Sequence, residues 1–315
     1  MTVTPGPAEL VLAAEVARRY YLHDQRKVDI AASLGISRFK VARLLEEARA
    51  SGLVRIEIVN QWHIESELSV RLREALALRN CVVVETEEDP SVARAAVGRA
   101  GAALLSEVIG PHDVLGMPWA RSVSAMVHAL TQLPRVPVVQ LSGSQVVAGG
   151  ESPVDMVRAA ARLSGGDAYV YFAPLVLDDA ASARVLLRQP AVSAAMAQVP
   201  RVTIAAIGIG GWGPGRSTIY DAVSEGTRAA VARAGAVGEA LGIFFDSEGA
   251  PLHTELSDRM VTITADALRG IPEVIGLVSG VDKATAVLAA ARGPLVSSLV
   301  VDSGLGRELL RLAGG

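Results

Sequence analysis

The chain has 315 residues, half of them apolar, with a mean hydropathy of +0.36, so it can bury a large core and is neither disordered nor of low complexity. It contains one cysteine, Cys81, and five scattered histidines, His23, His63, His112, His128 and His253. That content excludes a disulfide framework, and without a His-Glu-x-x-His spacing it argues against a catalytic zinc centre; no metal and no cofactor is expected. No charge-free run of 18 apolar residues occurs and the first charge, Glu9, is acidic, so no membrane span and no secretory leader is read, and a cytoplasmic protein is expected. The net charge of −3 is unevenly spread: residues 1–60 hold nine Lys/Arg against seven Asp/Glu, whereas residues 61–315 hold 21 against 26. Only the N-terminal end is expected to meet a polyanion.

From Ala8 to Tyr21 apolar residues recur every three and four positions, which predicts a helix. A short helix with Val28, Ile30, Ala31 and Leu34 follows and stops at Gly35, and Ser37 is a good N-cap for a third helix with Val41, Leu44, Leu45 and Ala48 inside. Helix, tight turn and helix in this order predict a helix-turn-helix, whose last helix enters the DNA major groove by its first turn. Ser37, Arg38, Phe39, Lys40 and Arg43 are therefore the candidate DNA contacts. The alternation Leu53 to Val59 reads as a strand or wing packed on the helices.

A new amphipathic helix begins at Glu65, which places the domain boundary near residue 60: a winged helix-turn-helix over 1–60 and an α/β domain over 61–315. In the second part strand-like runs alternate with helical segments: Val82–Val84, Val114–Gly116, Val136–Leu141, Ala168–Phe172, Val202–Ile209, Ile243–Phe245, Val274–Val278 and Leu299–Val301. The alternation predicts a mostly parallel, Rossmann-like sheet covered by helices, with ligands at the strand C-terminal ends. Four strand ends carry polar or glycine residues: Gly116 to Ser122, Gln140 to Ser144, Gly208 to Ser217 and Ser279 to Lys283. Gly208, Gly210 and Gly213 satisfy G-x-G-x-x-G, but Pro214 and Gly215 prolong a loop where a dinucleotide site needs a helix. Lys283 is the only lysine after residue 40 in a chain with 27 arginines, which suggests a position that needs a compact ammonium.

Residues 13–59 resemble the DNA-binding end of SorC-type sugar-binding transcriptional regulators through Tyr20, Tyr21, Ile30, Ala31, Leu34, Ser37, Arg38, Val41, Arg43, Leu44 and Leu45. The resemblance extends over the second part at Trp119 and Ser122, Val138 to Gly143, Gly208 to Gly210, Phe245 to Gly249, and Gly280 with Lys283. It implies an effector domain similar to sugar-phosphate isomerases and deaminases. The effector-site candidates are Trp119, Arg121, Ser122, Gln140, Ser142, Gly143, Gly208, Gly210, Ser217, Phe245, Asp246, Gly280, Asp282 and Lys283. Pro118 and Ala120 replace the family's serine and glycine, removing an N–H donor and adding a methyl, which speaks against an ordinary phosphosugar at that corner and for an unphosphorylated sugar or polyol, or a ligand outside the class; the effector expected is a sugar, polyol or phosphosugar. The function expected is an effector-controlled, DNA-binding regulator acting on double-stranded operator DNA as a homodimer or homotetramer; the alternative is an isomerase- or deaminase-like enzyme with a DNA-binding appendage.

Overall fold

The computed structural model describes residues 6–55, 63–87, 89–145 and 152–314. The chain divides into two compact units, 1–60 and 61–315.

The first unit is built from α1 (Pro7–Tyr21), α2 (Lys27–Leu34) and α3 (Arg38–Ala50). Their apolar stripes meet in one small core: Ala13, Val16 and Ala17 from α1, Ile30 and Ala31 from α2, and Val41, Leu44, Leu45 and Ala48 from α3. Gly35 closes α2 in the left-handed conformation, φ 64°, which places Ile36 N–H on the Ala31 carbonyl at 3.0 Å. Two residues later the Ser37 hydroxyl accepts from Lys40 N–H at 3.1 Å and caps α3. The turn between α2 and α3 is thus fixed by a glycine and a serine, and α3 starts at Arg38. The wing expected over 53–59 falls largely outside the described residues, and Leu53–Arg55 form no strand.

The second unit opens with α4 (Ser66–Ala75), β1 (Asn80–Val84), α5 (Pro90–Val108), β2 (Leu115–Met117), α6 (Arg121–Ala129), β3 (Val138–Gln140), α7 (Pro153–Ser164) and β4 (Ala168–Tyr169). After α8 (Ala180–Leu187) and α9 (Pro190–Met196) come β5 (Ile204–Ile207), β6 (Gly210–Gly211), α10 (Thr218–Ala222), α11 (Glu225–Arg233), β7 (Gly238–Ala240), β8 (Ile243–Phe245) and β9 (Pro251–Leu252). It ends with α12 (Ala265–Arg269), β10 (Glu273–Val278), α13 (Ala284–Arg292), β11 (Ser298–Asp302) and α14 (Ser303–Ala313).

Seven strands form one sheet in the order β1-β11-β10-β5-β2-β3-β4, every pair parallel. Its central strands are buried on both faces, and alternate residues enter two different cores. Ala205 and Ile207 of β5 and Leu299 and Val301 of β11 pack with α13 and α14. Ile204, Ala206 and Val300 pack with α5, α6 and α7 on the other face. Gly98 lets α5 lie directly on α6, since a Cβ there would come 2.6 Å from the Ala125 carbonyl carbon. The run Ile243–Phe245, expected in the parallel sheet, belongs instead to a second, antiparallel sheet, β6-β7-β8-β9. Its β7–β8 hairpin turns through Leu241 (φ 55°) and Gly242 (φ 88°), the two positive φ values that a two-residue hairpin loop takes to match strand twist.

Candidate functional site

A cavity of about 690 Å³ lies at the C-terminal ends of the parallel strands, where an open α/β sheet binds its ligands. The residues after β2 supply Trp119, Arg121 and Ser122; the turn after β5 supplies Gly208 and Gly210; the turn after β10 supplies Gly280, Asp282 and Lys283. Ser142, beyond β3, and Ser217, the N-cap of α10, complete the expected residues that meet here. As expected for a non-dinucleotide site, the glycine turn runs into β6, and no helix starts before Thr218.

Four expected residues lie elsewhere. Gln140 is fully buried and its amide is used internally: Nε2 donates to the Ser142 carbonyl at 2.9 Å and Oε1 accepts from Tyr171 N–H at 3.2 Å. Gly143 serves close packing, because a Cβ would meet the Pro174 carbonyl oxygen at 2.6 Å. Phe245 is a core aromatic with no exposed surface. Asp246 holds the β8–β9 turn, its Oδ1 accepting from Glu248 and Ala250 N–H at 2.9 Å each. Asp246 is thus a local turn residue, whereas the roles of Gly143 and Phe245 and the Gln140–Tyr171 bond depend on three-dimensional neighbours that motif spacing does not reveal.

Some of the residues that do meet in the cavity are also structural. The Ser122 hydroxyl donates to the Leu277 carbonyl at 2.6 Å, tying the start of α6 to β10. Ser217 accepts from Ile219 and Tyr220 N–H and donates to Glu239 Oε1 at 2.8 Å. Glu239 also accepts from Gly242 N–H at 3.1 Å, so one buried carboxyl braces both α10 and the β7–β8 hairpin. Burial pushes its pKa up, against the two hydrogen bonds, which lower it. The extra methyl of Ala120 is accommodated by Gly208, where a Cβ would approach it to 2.8 Å.

The cavity lining carries four cations, Arg94, Arg121, Arg216 and Lys283, beside the carboxylates Glu87, Glu239, Asp282 and Asp302, and three of the cations interact with one another. Lys283 follows β10, Arg121 opens α6 and Arg94 lies in the first turns of α5. Lys283 Nζ donates to the Ser279 carbonyl at 2.6 Å. Burial lowers its pKa first, and Arg121 and Arg94 lower it further, while Asp282 and Asp302 oppose them. Arg94 is likewise lowered by burial and by Arg121. Among the described residues no ion pair within 4 Å is formed by Lys283, Arg121 or Arg94, although Glu87, Asp282 and Asp302 also line the cavity. Asp302 accepts from Gly280 N–H at 2.7 Å and Leu305 N–H at 2.9 Å, and Asp282 faces Arg216 at 3.5 Å. Like charges held together and partly desolvated favour an anionic guest.

Two buried polar atoms of the cavity lining find no partner among the described residues: the Trp119 indole Nε1, a donor, and the Gln145 Oε1, an acceptor. The Gln145 amide nitrogen is fixed on the Thr218 carbonyl at 2.6 Å, which leaves the oxygen as the free end. An unmet buried donor and acceptor cost free energy unless a ligand or water pairs them. Arg94, Gln145 and Glu239 were missed in the sequence. The strand-end rule, applied to β1, would have pointed at the first turns of α5, and Glu239 is a lone carboxylate within the apolar run Val237 to Phe245.

On the first unit, Arg38, Phe39 and Lys40 form the exposed first turn of α3. Arg43, one turn on, is drawn toward Glu47 at 3.4 Å and Glu9 at 3.7 Å, so reaching a base would mean exchanging these carboxylates. Cys81 is half-buried on β1 with its thiol pushed up to about 12 by desolvation, an unreactive strand residue. Among the described residues no group of His, Cys, Asp and Glu could hold a metal, and no helix is long and apolar enough to cross a membrane.

Residues 62–311 match the family model "Putative sugar-binding domain". The transcriptional regulator LsrR of Klebsiella pneumoniae is 30% identical over 317 residues, covering 97% of this chain and 94% of that protein. The uncharacterized transcriptional regulator YjhU of Escherichia coli K12 is 29% identical over 301 residues, 92% of each chain. Among solved structures, the full-length sorbitol operon regulator SorC from Klebsiella pneumoniae superposes with a TM-score of 0.72 at 23% identity, over 96% of this chain and 99% of that one. A DeoR family transcriptional regulator from Listeria monocytogenes gives 0.69 at 19% identity, over 78% and 98%. The chain belongs to the SorC-type family of sugar-binding transcriptional regulators. It is a transcriptional regulator, and the enzyme alternative falls away.

Proposed function

We propose that residues 1–60 bind double-stranded operator DNA through the first turn of α3, and that the cavity of the second unit binds a sugar carrying an anionic group, whose occupancy changes operator affinity. The observation that carries the ligand class is the cavity's divided character. Arg94, Arg121 and Lys283 offer charge to a phosphate or carboxylate, and the unpartnered Trp119 Nε1 and Gln145 Oε1 offer one donor and one acceptor to hydroxyls. A free sugar would leave the three clustered cations with only the partial compensation of carboxylates such as Asp282 and Asp302, and an anion without hydroxyls would leave the indole and amide unpaired. A phosphosugar therefore fits better than a polyol. Asp282 and Ser142 are further polar groups of the cavity lining.

The first unit carries a net charge of only +2, too little for tight binding of one copy to DNA, which supports a homodimer or homotetramer that sets two α3 helices on successive major-groove faces. A cytoplasmic location follows from the DNA target. The test is thermal shift of the full-length chain against sugar monophosphates, their parent sugars, polyols and inorganic phosphate, since a ligand of the folded state raises the melting temperature. A sugar monophosphate that outperforms both its parent sugar and phosphate supports the reading; equal shifts by parent sugar and phosphosugar would contradict it.

A further inference from the structure

Phe39 is 88% exposed, more than any other large apolar side chain among the described residues. It is the second residue of α3, with Arg38 before it and Lys40 after it. The core-facing stripe of the helix is Val41, Leu44, Leu45 and Ala48, so Phe39 takes no part in holding the unit together. The ring is therefore available to a partner, and it sits between two cations on the helix turn read above as the DNA-contacting one.

We propose that Phe39 is a base-reading residue that recognises thymine, its ring lying against the 5-methyl group in the major groove. The inference rests on the DNA-binding reading above and adds the base that is read. Along the major-groove edges of the four base pairs the thymine methyl is the bulky apolar group that stands out among the donors and acceptors. The flanking cations choose the partner. Arg38 and Lys40 fit a polyanion on either side of the ring, whereas a second copy of this chain docking through Phe39 would bring like charges together. The capped first turn, held by Ser37 on Lys40 N–H at 3.1 Å, presents Phe39 on a rigid element and aims the helix N-terminus at the phosphates.

The experiment begins with duplexes selected from a random-sequence library by the full-length protein. Each thymine of the selected duplex is then replaced by deoxyuridine, which deletes only the methyl. The wild type should lose affinity on the order of fivefold at one thymine per half-site and little at the rest. Phe39→Ala should lose a similar factor on the unmodified duplex and become indifferent to deoxyuridine at that position, while Phe39→Leu keeps part of the discrimination. Because the ring is exposed, both variants should melt like the wild type. Wild-type protein that tolerates every deoxyuridine, or Phe39→Ala that remains sensitive at the same thymine, overturns the assignment while leaving DNA binding intact. Loss of DNA bending in Phe39→Ala without methyl sensitivity would make the ring a wedge between base steps and overturns it too. Failure to enrich any duplex would remove the DNA-binding reading itself, and this proposal with it.

Discussion

Lys283 owes its chemistry to where β10 ends. The strand delivers it to the cavity beside Arg121 and Arg94, and burial holds its pKa below the usual lysine range. A lysine whose folded-state pKa is depressed costs stability while it is charged; that cost fades as pH rises through the depressed pKa toward the ordinary value. An anionic ligand compensates the charge at neutral pH. The thermal shift produced by a sugar monophosphate should therefore shrink as the pH rises from neutral toward the ordinary lysine value, a range in which an ordinary surface lysine stays mostly charged. The shift produced by a neutral sugar should be flat over the same range, and a flat response to both would separate Lys283 from the ligand. Trp119→Phe tests the other end of the cavity. It keeps the ring packing but removes the unpartnered donor, so affinity for a hydroxylated ligand should fall by about 0.5–1.5 kcal/mol in a binding isotherm while stability holds or rises slightly.

Between single residues and the whole chain, the elements differ in how openly the sequence announces them. The central parallel strands were readable because they are buried on both faces and so appear as unbroken apolar runs, as in Ile204–Ile207 and Leu299–Val301. The second sheet was not readable: β6 is the pair Gly210–Gly211, which as sequence is a loop, and it becomes a strand only by pairing with Gly238 and Glu239. The three N-terminal helices and the turn between α2 and α3 were legible, since Gly35 and Ser37 fix that turn by backbone chemistry that is local. Of the cavity, the strand-end residues could be anticipated, but the use of Gln140 and Phe245 inside the core, and the arrival of Arg94 from α5, depend on which strands become neighbours. The β7–β8 turn gives an element-scale prediction. Gly242 has φ 88°, and a Cβ there would lie 2.2 Å from the Met260 methyl. Gly242→Ala should cost more than about 2 kcal/mol in denaturant unfolding and weaken ligand binding, since Leu241 and Glu239 of the same hairpin line the cavity. A variant as stable as the wild type would show that the hairpin turns by another route.

At the scale of the whole molecule, two compact units with separate cores share one chain. Leu44 has no exposed surface and lies at the centre of the small core, so Leu44→Ala should cost the first unit about 2–5 kcal/mol, enough to unfold a domain of this size. Operator binding should disappear while a sugar monophosphate still shifts the melting of the second unit; loss of both responses would mean that the units do not fold independently.

The coupling of the two activities is tested most directly by titrating the full-length protein on its selected duplex with and without a sugar monophosphate that raises its melting temperature. Wild-type affinity should change by about five- to 150-fold. Lys283→Ala should bind the duplex like the ligand-free wild type and show no change when the sugar monophosphate is added, and Lys283→Arg should restore little, since a planar guanidinium does not reproduce the ammonium's contacts. A sugar monophosphate that binds the wild type yet leaves its DNA affinity unaltered, or a Lys283→Ala protein that responds at wild-type ligand concentrations, would contradict an effector-controlled regulator built on this cavity.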